Sequence, residues 1–387
     1  MKTLGIGIIG LSRRSRMIQD FSCAGVKITA AADLDRKTLD CFKNKTGKDI
    51  FLTEDYNELL KRKDVNAVFI MTRDYQHEDI TVAALESGKA VYLEKPMTIT
   101  IEGCDRILET AYRTKTKLFL GHNMRYMPVV LKMKEIIDSG VIGEIQAVWC
   151  RHFIGYGNCY FRSWCSERAH TNGLLLQKGA HDIDVIHWLA GGYACRVVGM
   201  GKLSVYDKCG HREPNEAPDR DKAFRESCWP PLSQNDMAPH IDIEDHNMLM
   251  LSLDNGVQAS YTQCFYTPDS ERNYTFIGTR GRLENIGDGG DCEIHVWTQR
   301  GNRSNPDIIH KLKAIEGGHG GSDPCIINSF ISFVRDGVVP NTSPLAARNA
   351  VAAGIMGHES MRNGNIPKDI PPIPAPLMEY FNNGQKK

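Results

Sequence analysis

The sequence predicts an α/β protein: a doubly wound parallel sheet first, then an α+β domain built on a large open, mainly antiparallel sheet. Three observations carry this. Short apolar runs alternate with amphipathic segments through the first 122 residues. After Pro128 the apolar runs become alternating patterns, as in strands with one solvated face. A chain of 387 residues also exceeds what one compact core usually organises, which suits two domains, 1–122 and 123–387.

TLGIGIIG (3–10) is continuously apolar, as a strand buried on both faces requires. A helix follows Ser15, then the strand VKITAAA (26–32) and a helix near 35–45. A short strand around Phe51 precedes a helix near 55–62 and the strand NAVFIM (66–71). A helix near 76–87, the strand AVYLE (90–94), a helix near 99–114 and the strand KLFLG (117–121) complete the β-α repetition.

In the second domain a helix near 129–139 ends at Gly140, and EIQAVWCRHF (144–153) reads as a strand. Residues 154–180, rich in Gly, Asn and aromatics, suit a binding loop, and a helix over about 181–190 ends at Gly191-Gly192. RVVGMGKLSV, NMLMLSLDNG, VQASYTQCFYT and NYTFIGT alternate as half-buried strands, with Asp254-Asn255-Gly256 as a hairpin turn. The aperiodic stretch 208–240 reads as a surface insertion or lid. The Pro-rich end, 366–387, reads as an extended tail, either disordered or laid across a partner subunit.

Composition excludes several function classes. Lys+Arg and Asp+Glu are equal at 47 each, so the basic surface that nucleic acid or an anionic membrane demands is not expected. No apolar run approaches the roughly 20 residues that cross a bilayer. The apolar start is short, lacks a small-residue cleavage site and is followed by Arg13-Arg14, so it reads as a first strand of a cytoplasmic protein rather than a signal peptide. The twelve cysteines are scattered without a CxxC and read as free thiols. Cys209, His211 and Cys228 match no standard zinc spacing, so no metal is expected.

Gly5, Gly7 and Gly10 lie in the first strand and its exit, where a glycine turn presents backbone N–H groups to a pyrophosphate. Ser12 and Ser15 stand where the fingerprint G-x-G-x-x-G has its last two glycines. Asp33 closes the second strand, the position that receives ribose hydroxyls. A carboxylate there repels a 2′-phosphate, which favours NAD over NADP. Arg13 and Arg14 oppose that choice, since either could pair with a phosphate, or they are solvated residues of a helix start.

VYLEKPMT (91–98) ends a strand in Glu94-Lys95-Pro96 at the carboxyl edge of the sheet, where open α/β folds bind ligands. With TRDYQH (72–77), GHNMRYMP (121–128), a later G-x-H-x-x-D, DNGVQASY, FIGTRGRLEN and GGHGGSDP, it resembles the Gfo/Idh/MocA oxidoreductase family over nearly the whole chain. The resemblance implies NAD(P)-dependent hydride transfer on sugars, glycosides or inositols. It implies that Lys95 holds the substrate hydroxyl on a turn fixed by Pro96, with the Lys-Pro bond often cis. Glu94 contacts the cofactor or orients Lys95. Thr72, His77 and Asn123 fall in segments placed beside the cofactor, and Arg125 beside the substrate.

In NGLLLQKGAHDIDVIHW (172–188) the family commonly has D-x-G-x-H; here Gln177 takes the Asp position and Lys178 follows it. The resemblance implies His181 as principal acid/base with Lys95 as partner, Asp184 one helical turn on to fix the imidazole tautomer, and Lys178 assuming part of the missing carboxylate's electrostatic role. Tyr156, Tyr160 and Trp164 are candidates to stack on a sugar ring, against a reading of two of them as core. His246 at a strand start is a further substrate-contact candidate. Two alternatives remain open: a glycoside-cleaving enzyme working by transient oxidation and elimination, and a non-catalytic sugar- or nucleotide-binding regulator. An uncovered apolar sheet face suggests a homodimer or homotetramer.

Overall fold

In the computed structural model residues 3–386 are described, apart from 20–21, 47–48, 218–228, 302–303, 314, 316–317 and 319. The chain forms two compact units, one of 1–126, 316–348 and 373–387, the other of 127–315 and 349–372. This corrects the division into two contiguous domains: two late segments return to the first unit.

In the first unit β1 (Leu4–Ile9), β2 (Val26–Ala32), β3 (Phe51–Thr53), β4 (Ala67–Ile70), β5 (Ala90–Leu93) and β6 (Leu118–Leu120) form a parallel sheet in the order β3-β2-β1-β4-β5-β6. The order reverses between β1 and β4, which makes the carboxyl ends of those strands the switch-point crevice of a doubly wound fold. In register across three strands, Phe69, Tyr92 and Phe119 stack with centroids 4.6 and 5.4 Å apart. The helix Ser322–Asp336 sets Phe330 edge-on to all three rings. Its Ile326, Ile327, Ile331 and Phe333 belong to the same core, and this burial is what draws the late segment back.

The expected Pro-rich tail is also corrected. Pro374 leads into a helix, Ala375–Asn382, that buries Leu377, Tyr380 and Phe381 and contacts the helix Ile101–Thr114. Beyond it, the Gln385 side-chain amide accepts from the Leu118 N–H at 2.8 Å and donates to the Leu118 carbonyl at 2.7 Å, on the edge strand β6.

The second unit is built on β7 (Ile145–Phe153), β8 (Ala194–Lys202), β9 (His246–Leu253), β10 (Gln258–Cys264), β11 (Glu271–Gly278), β12 (Arg282–Ile286), β13 (Cys292–Trp297), β14 (Ile308–Leu312) and β15 (Lys368–Asp369). Among the described residues they make one sheet, β14-β13-β12-β11-β7-β10-β9-β8-β15, antiparallel except for β7 against β10. Residues 158–177, expected as loop, contain four short helical segments. The expected lid is anchored: Cys209, Met237 and Ala238 are buried, the first two in a core with Ile154, Phe161 and Phe265, while 218–228, including Cys228, lie outside the described residues. The eleven cysteines among the described residues are free thiols.

Candidate functional site

The first unit carries its chemistry where β1, β2, β4 and β5 end. Gly10 sits at φ +87°, and a Cβ there would lie 2.9 Å from the Met71 carbonyl and from Thr72 Cγ2. Only glycine lets β1 leave the sheet this close to β4. The Asp33 carboxylate organises the turn, accepting from the Leu11 N–H at 2.7 Å and the Asp35 N–H at 2.9 Å. Ser12 spends its hydroxyl on the Met71 carbonyl (3.0 Å), and buried Ser15 returns its own to the Ser12 carbonyl (2.7 Å). The two serines therefore brace the turn where glycines were looked for.

Arg13 is exposed, whereas Arg14 is drawn inward to Glu94 (3.3 Å) and Asp323 (2.8 Å). Burial alone would weaken its charge; the two carboxylates outweigh that and hold its pKa above the usual arginine value. Buried Asn123 joins the cluster, donating to Asp323 at 3.4 Å.

His77 fastens two turns together. It is fully buried, with Nδ1 2.7 Å from the Pro96 carbonyl and Nε2 3.3 Å from that of Thr72, so it ties the exit of β4 to the Glu94-Lys95-Pro96 turn. Burial keeps its pKa low, so the neutral ring donates to one carbonyl at a time. The Lys95-Pro96 bond is cis, and Lys95 is half-buried on the turn. Arg125 is buried and donates to the Asn341 carbonyl at 2.7 Å.

In the second unit the helix Gly179–Ala190 carries half-exposed His181 and buried Asp182 and Asp184. Asp182 is the hub. Its carboxylate accepts from the Tyr261 and Tyr274 hydroxyls, pairs with Arg272 Nε at 2.7 Å and faces His152 Nδ1 at 3.1 Å. The sheet register explains the convergence: His152 lies beside Arg272 and Gln263, and Cys150 beside Tyr274 and Tyr261, on one face of β11, β7 and β10. Burial alone would raise the Asp182 pKa, but Arg272 and His152 reverse this and hold it below the carboxylate range. Burial and Arg272 push His152 down to about 3, so the ring is neutral; Nδ1 carries the proton towards Asp182, and Nε2 is left as an acceptor.

Lys178, half-buried just before that helix, donates to the Tyr156 hydroxyl at 3.1 Å. Burial first, then Arg272, brings its pKa down to about 8. Of the aromatic candidates, Tyr156 faces this lysine, Tyr160 packs edge-on to Phe265 at 5.4 Å, and Trp164 is half-buried in a helical turn. His246 is corrected. It alternates with buried Asn247 and Leu249, so it shares the open face of the sheet with Met248 and Met250, and bonds the Tyr266 hydroxyl at 3.1 Å. Among the described residues no acidic, His or Cys group could hold a metal, and no helix is long and apolar enough to cross a membrane.

Residues 4–122 match the family model for an oxidoreductase family with an NAD-binding Rossmann fold, and residues 130–284 match the GFO/IDH/MocA C-terminal domain. The chain belongs to the Gfo/Idh/MocA oxidoreductase family. It is 26% identical to the Bacillus subtilis (strain 168) protein YteT over 382 residues, covering 87% of this chain and 88% of that one. It is 32% identical over 187 residues to the inositol 2-dehydrogenase of Salmonella paratyphi B (strain ATCC BAA-1250 / SPB7), covering 48% of this chain and 53% of that relative, about half its length. Two solved structures share the fold. Levoglucosan dehydrogenase, in complex with NADH and L-sorbose, has a TM-score of 0.78 at 17% identity, covering 96% of this chain and 100% of that one. Scyllo-inositol dehydrogenase from Lactobacillus casei, with NAD(H) and scyllo-inositol bound, has a TM-score of 0.71 at 20% identity, covering 95% and 99%.

A Gfo/Idh/MocA nucleotide site needs a turn open to pyrophosphate and an acceptor for ribose, and both fit here. Gly10, with no Cβ, lets the turn leave β1 tight against Met71 and Thr72, and Asp33 stands beside it, accepting from the Leu11 N–H. Sequence reasoning missed Asp323, His152, Asp182, Tyr261, Arg272 and Tyr274 as site residues. The period-two spacing of His152 with Cys150, and of Arg272 with Tyr274, was the available signal.

Proposed function

We propose that the protein is an NAD(H)-dependent dehydrogenase acting on a ring hydroxyl of a sugar, glycoside or cyclitol. The observation that carries this is Lys95, placed on a turn that His77 fastens to the exit of β4 within an NAD-binding domain. Bound NAD supplies the hydride acceptor, held by the Gly10 turn and Asp33. Lys95 holds the reacting hydroxyl and stabilises the developing oxyanion. His181 and Lys178 handle the hydroxyl proton; Gln177 cannot, because an amide does not titrate. Tyr156 and Trp164 form the sugar-facing surface, and Asp33 favours NAD over NADP.

The names of the relatives support the substrate class, since inositol and levoglucosan dehydrogenases act on ring alcohols. The test is an NADH absorbance screen against monosaccharides, alkyl and aryl glycosides and inositols, with Lys95→Ala and His181→Ala in parallel. Turnover by the wild type and loss in both variants is expected; full turnover in both would reject the assignment. A second reading, glycoside cleavage through transient oxidation, is favoured by Lys178, because an amine of lowered pKa suits proton removal next to a carbonyl. Cleavage of a glycoside with no net NADH would establish it.

The assembly is proposed as a dimer or tetramer. Trp149, Met200, Met248 and Met250 are exposed on neighbouring strands of one sheet face, a surface that a second copy would cover.

A further inference from the structure

The second unit places two carboxylates, Asp182 and Asp288, close to a lysine, yet neither pairs with it. Arg272 takes both: Nε reaches Asp182 at 2.7 Å and Nη1 reaches Asp288 at 2.7 Å. The remaining acceptor capacity of Asp182 is used by Tyr261, Tyr274 and His152. Among the described residues the only hydrogen bond of Lys178 Nζ is to the Tyr156 hydroxyl, a neutral group. A half-buried ammonium normally collects a carboxylate; here the guanidinium, bridging one carboxylate with Nε and the other with Nη1, has taken both.

We propose that Arg272 is a positioning residue of the reaction: by occupying Asp182 and Asp288 it leaves Lys178 without an acidic partner, as the amine that takes the substrate's hydroxyl proton. This rests on the dehydrogenase reading and gives the proton a destination. In alcohol oxidation a bound NAD+ would supply the acceptor for the carbinol hydrogen, as hydride. The O–H bond breaks, its proton goes to the Lys178 lone pair, and the oxygen electrons close the C=O bond. One alcohol, one NAD+ and one amine give one carbonyl, one NADH and one ammonium. Reduction runs the same steps backwards.

The groups facing Lys178 come from several elements. They are Tyr156 and Cys159 from the segment after β7, His152 on β7, Asp182 on the helix that follows, Arg272 on β11, and Asp288 between β12 and β13. Burial and Arg272 lower its proton affinity; Asp182, Cys159 and Asp288 raise it, and the balance falls at about 8. Loss of Arg272 therefore removes a repelling cation and releases two carboxylates to the lysine, both raising its pKa. Loss of the Asp288 charge acts in the opposite direction.

The test reads Lys178 directly in the full chain without cofactor: competitive acetylation with acetic anhydride across pH, with the peptide containing Lys178 quantified by mass spectrometry. A wild-type midpoint near 8 is expected. Asp288→Asn is expected to move it down by roughly half a pH unit or more, and Arg272→Met to move it up by about one unit or more. A wild-type midpoint at the ordinary lysine value of about 10.4 overturns the proposal, as does an Asp288→Asn midpoint that stays still or rises. Asp288 is partly exposed, so its variant decides the matter if Arg272→Met does not fold. In alcohol oxidation the acid limb of kcat/KM is expected to follow the labelling midpoint in Asp288→Asn. If oxidation is found but its acid limb ignores the substitution, this inference fails and the dehydrogenase reading stands. If no ring alcohol is oxidised while the midpoints move as stated, that reading fails and the carboxylate-sequestering role of Arg272 stands without its reaction.

Discussion

Each unit holds an arginine between two carboxylates, and the two clusters differ in what surrounds them. Arg14 meets Glu94 and Asp323 at the carboxyl edge of the parallel sheet, with 20% of its side chain exposed. Arg272 meets Asp182 and Asp288 with 9% exposed, and Asp182 is sealed completely. Water can replace a lost partner in the first cluster but not in the second. The first site is made chiefly by backbone, a glycine turn and a fastened Lys-Pro peptide, with side chains bracing it. The second is made by side chains that meet across three strands and a helix.

The comparison is sharpest at the carboxylates. Asp182→Ala is expected to cost about 3–5 kcal/mol, because it takes the acceptor from two buried hydroxyls and leaves the sealed Arg272 with Asp288 alone, while Asp323→Ala costs about 1 kcal/mol, since Arg14 keeps Glu94 and water. Urea unfolding of both variants measures the gap; equal losses would break the distinction.

Acid should find the second unit first. His152 titrates at about 3 when folded and near 6.5 when unfolded, so between those values the unfolded chain binds the extra proton. Stability is complete above about pH 6.5 and is lost as pH falls towards 3, by about 2 kcal/mol from this one group at pH 5. Buried His358, also held low by burial and by Arg362 and Arg168, adds to the loss in the same unit, whereas the first unit has His77. Hydrogen exchange compared at pH 7.5 and 5 is expected to show earlier opening of strands β7, β10 and β11 than of β1, β4 and β5.

The backbone-built site is probed by Gly10→Ala, which forces a Cβ to 2.9 Å from Met71 at φ +87°. A loss of about 1–3 kcal/mol in stability and at least about tenfold in NAD affinity is expected, by unfolding and calorimetry. Ser12→Gly, which removes only the brace to the Met71 carbonyl, should change NAD affinity by less than about threefold.

The same contrast explains what the sequence made legible. Gly10, Asp33 and Glu94-Lys95-Pro96 lie at the ends of continuous apolar strands, so locating the strands located them. Asp323 was not legible as their partner, because it returns on a helix from a segment that reads as part of the second domain. On the helix Gly179–Ala190, spacing pointed to His181 and Asp184, but neighbouring residues on a helix point about 100° apart. Which acid is sealed against the sheet depends on how the helix packs, and the hub is Asp182. Arg272 and Tyr274 alternate as an ordinary strand would, and their chemistry exists only once β7 and β10 stand beside them.

Gln385 bears on how the molecule avoids its own kind. An outermost strand offers unpaired backbone groups to any other chain with an edge of its own. One glutamine amide plugs both groups of Leu118. Replacing it, as in Gln385→Ala, would uncork that edge and turn a contented solution of monomers or small oligomers into one inclined to associate strand to strand.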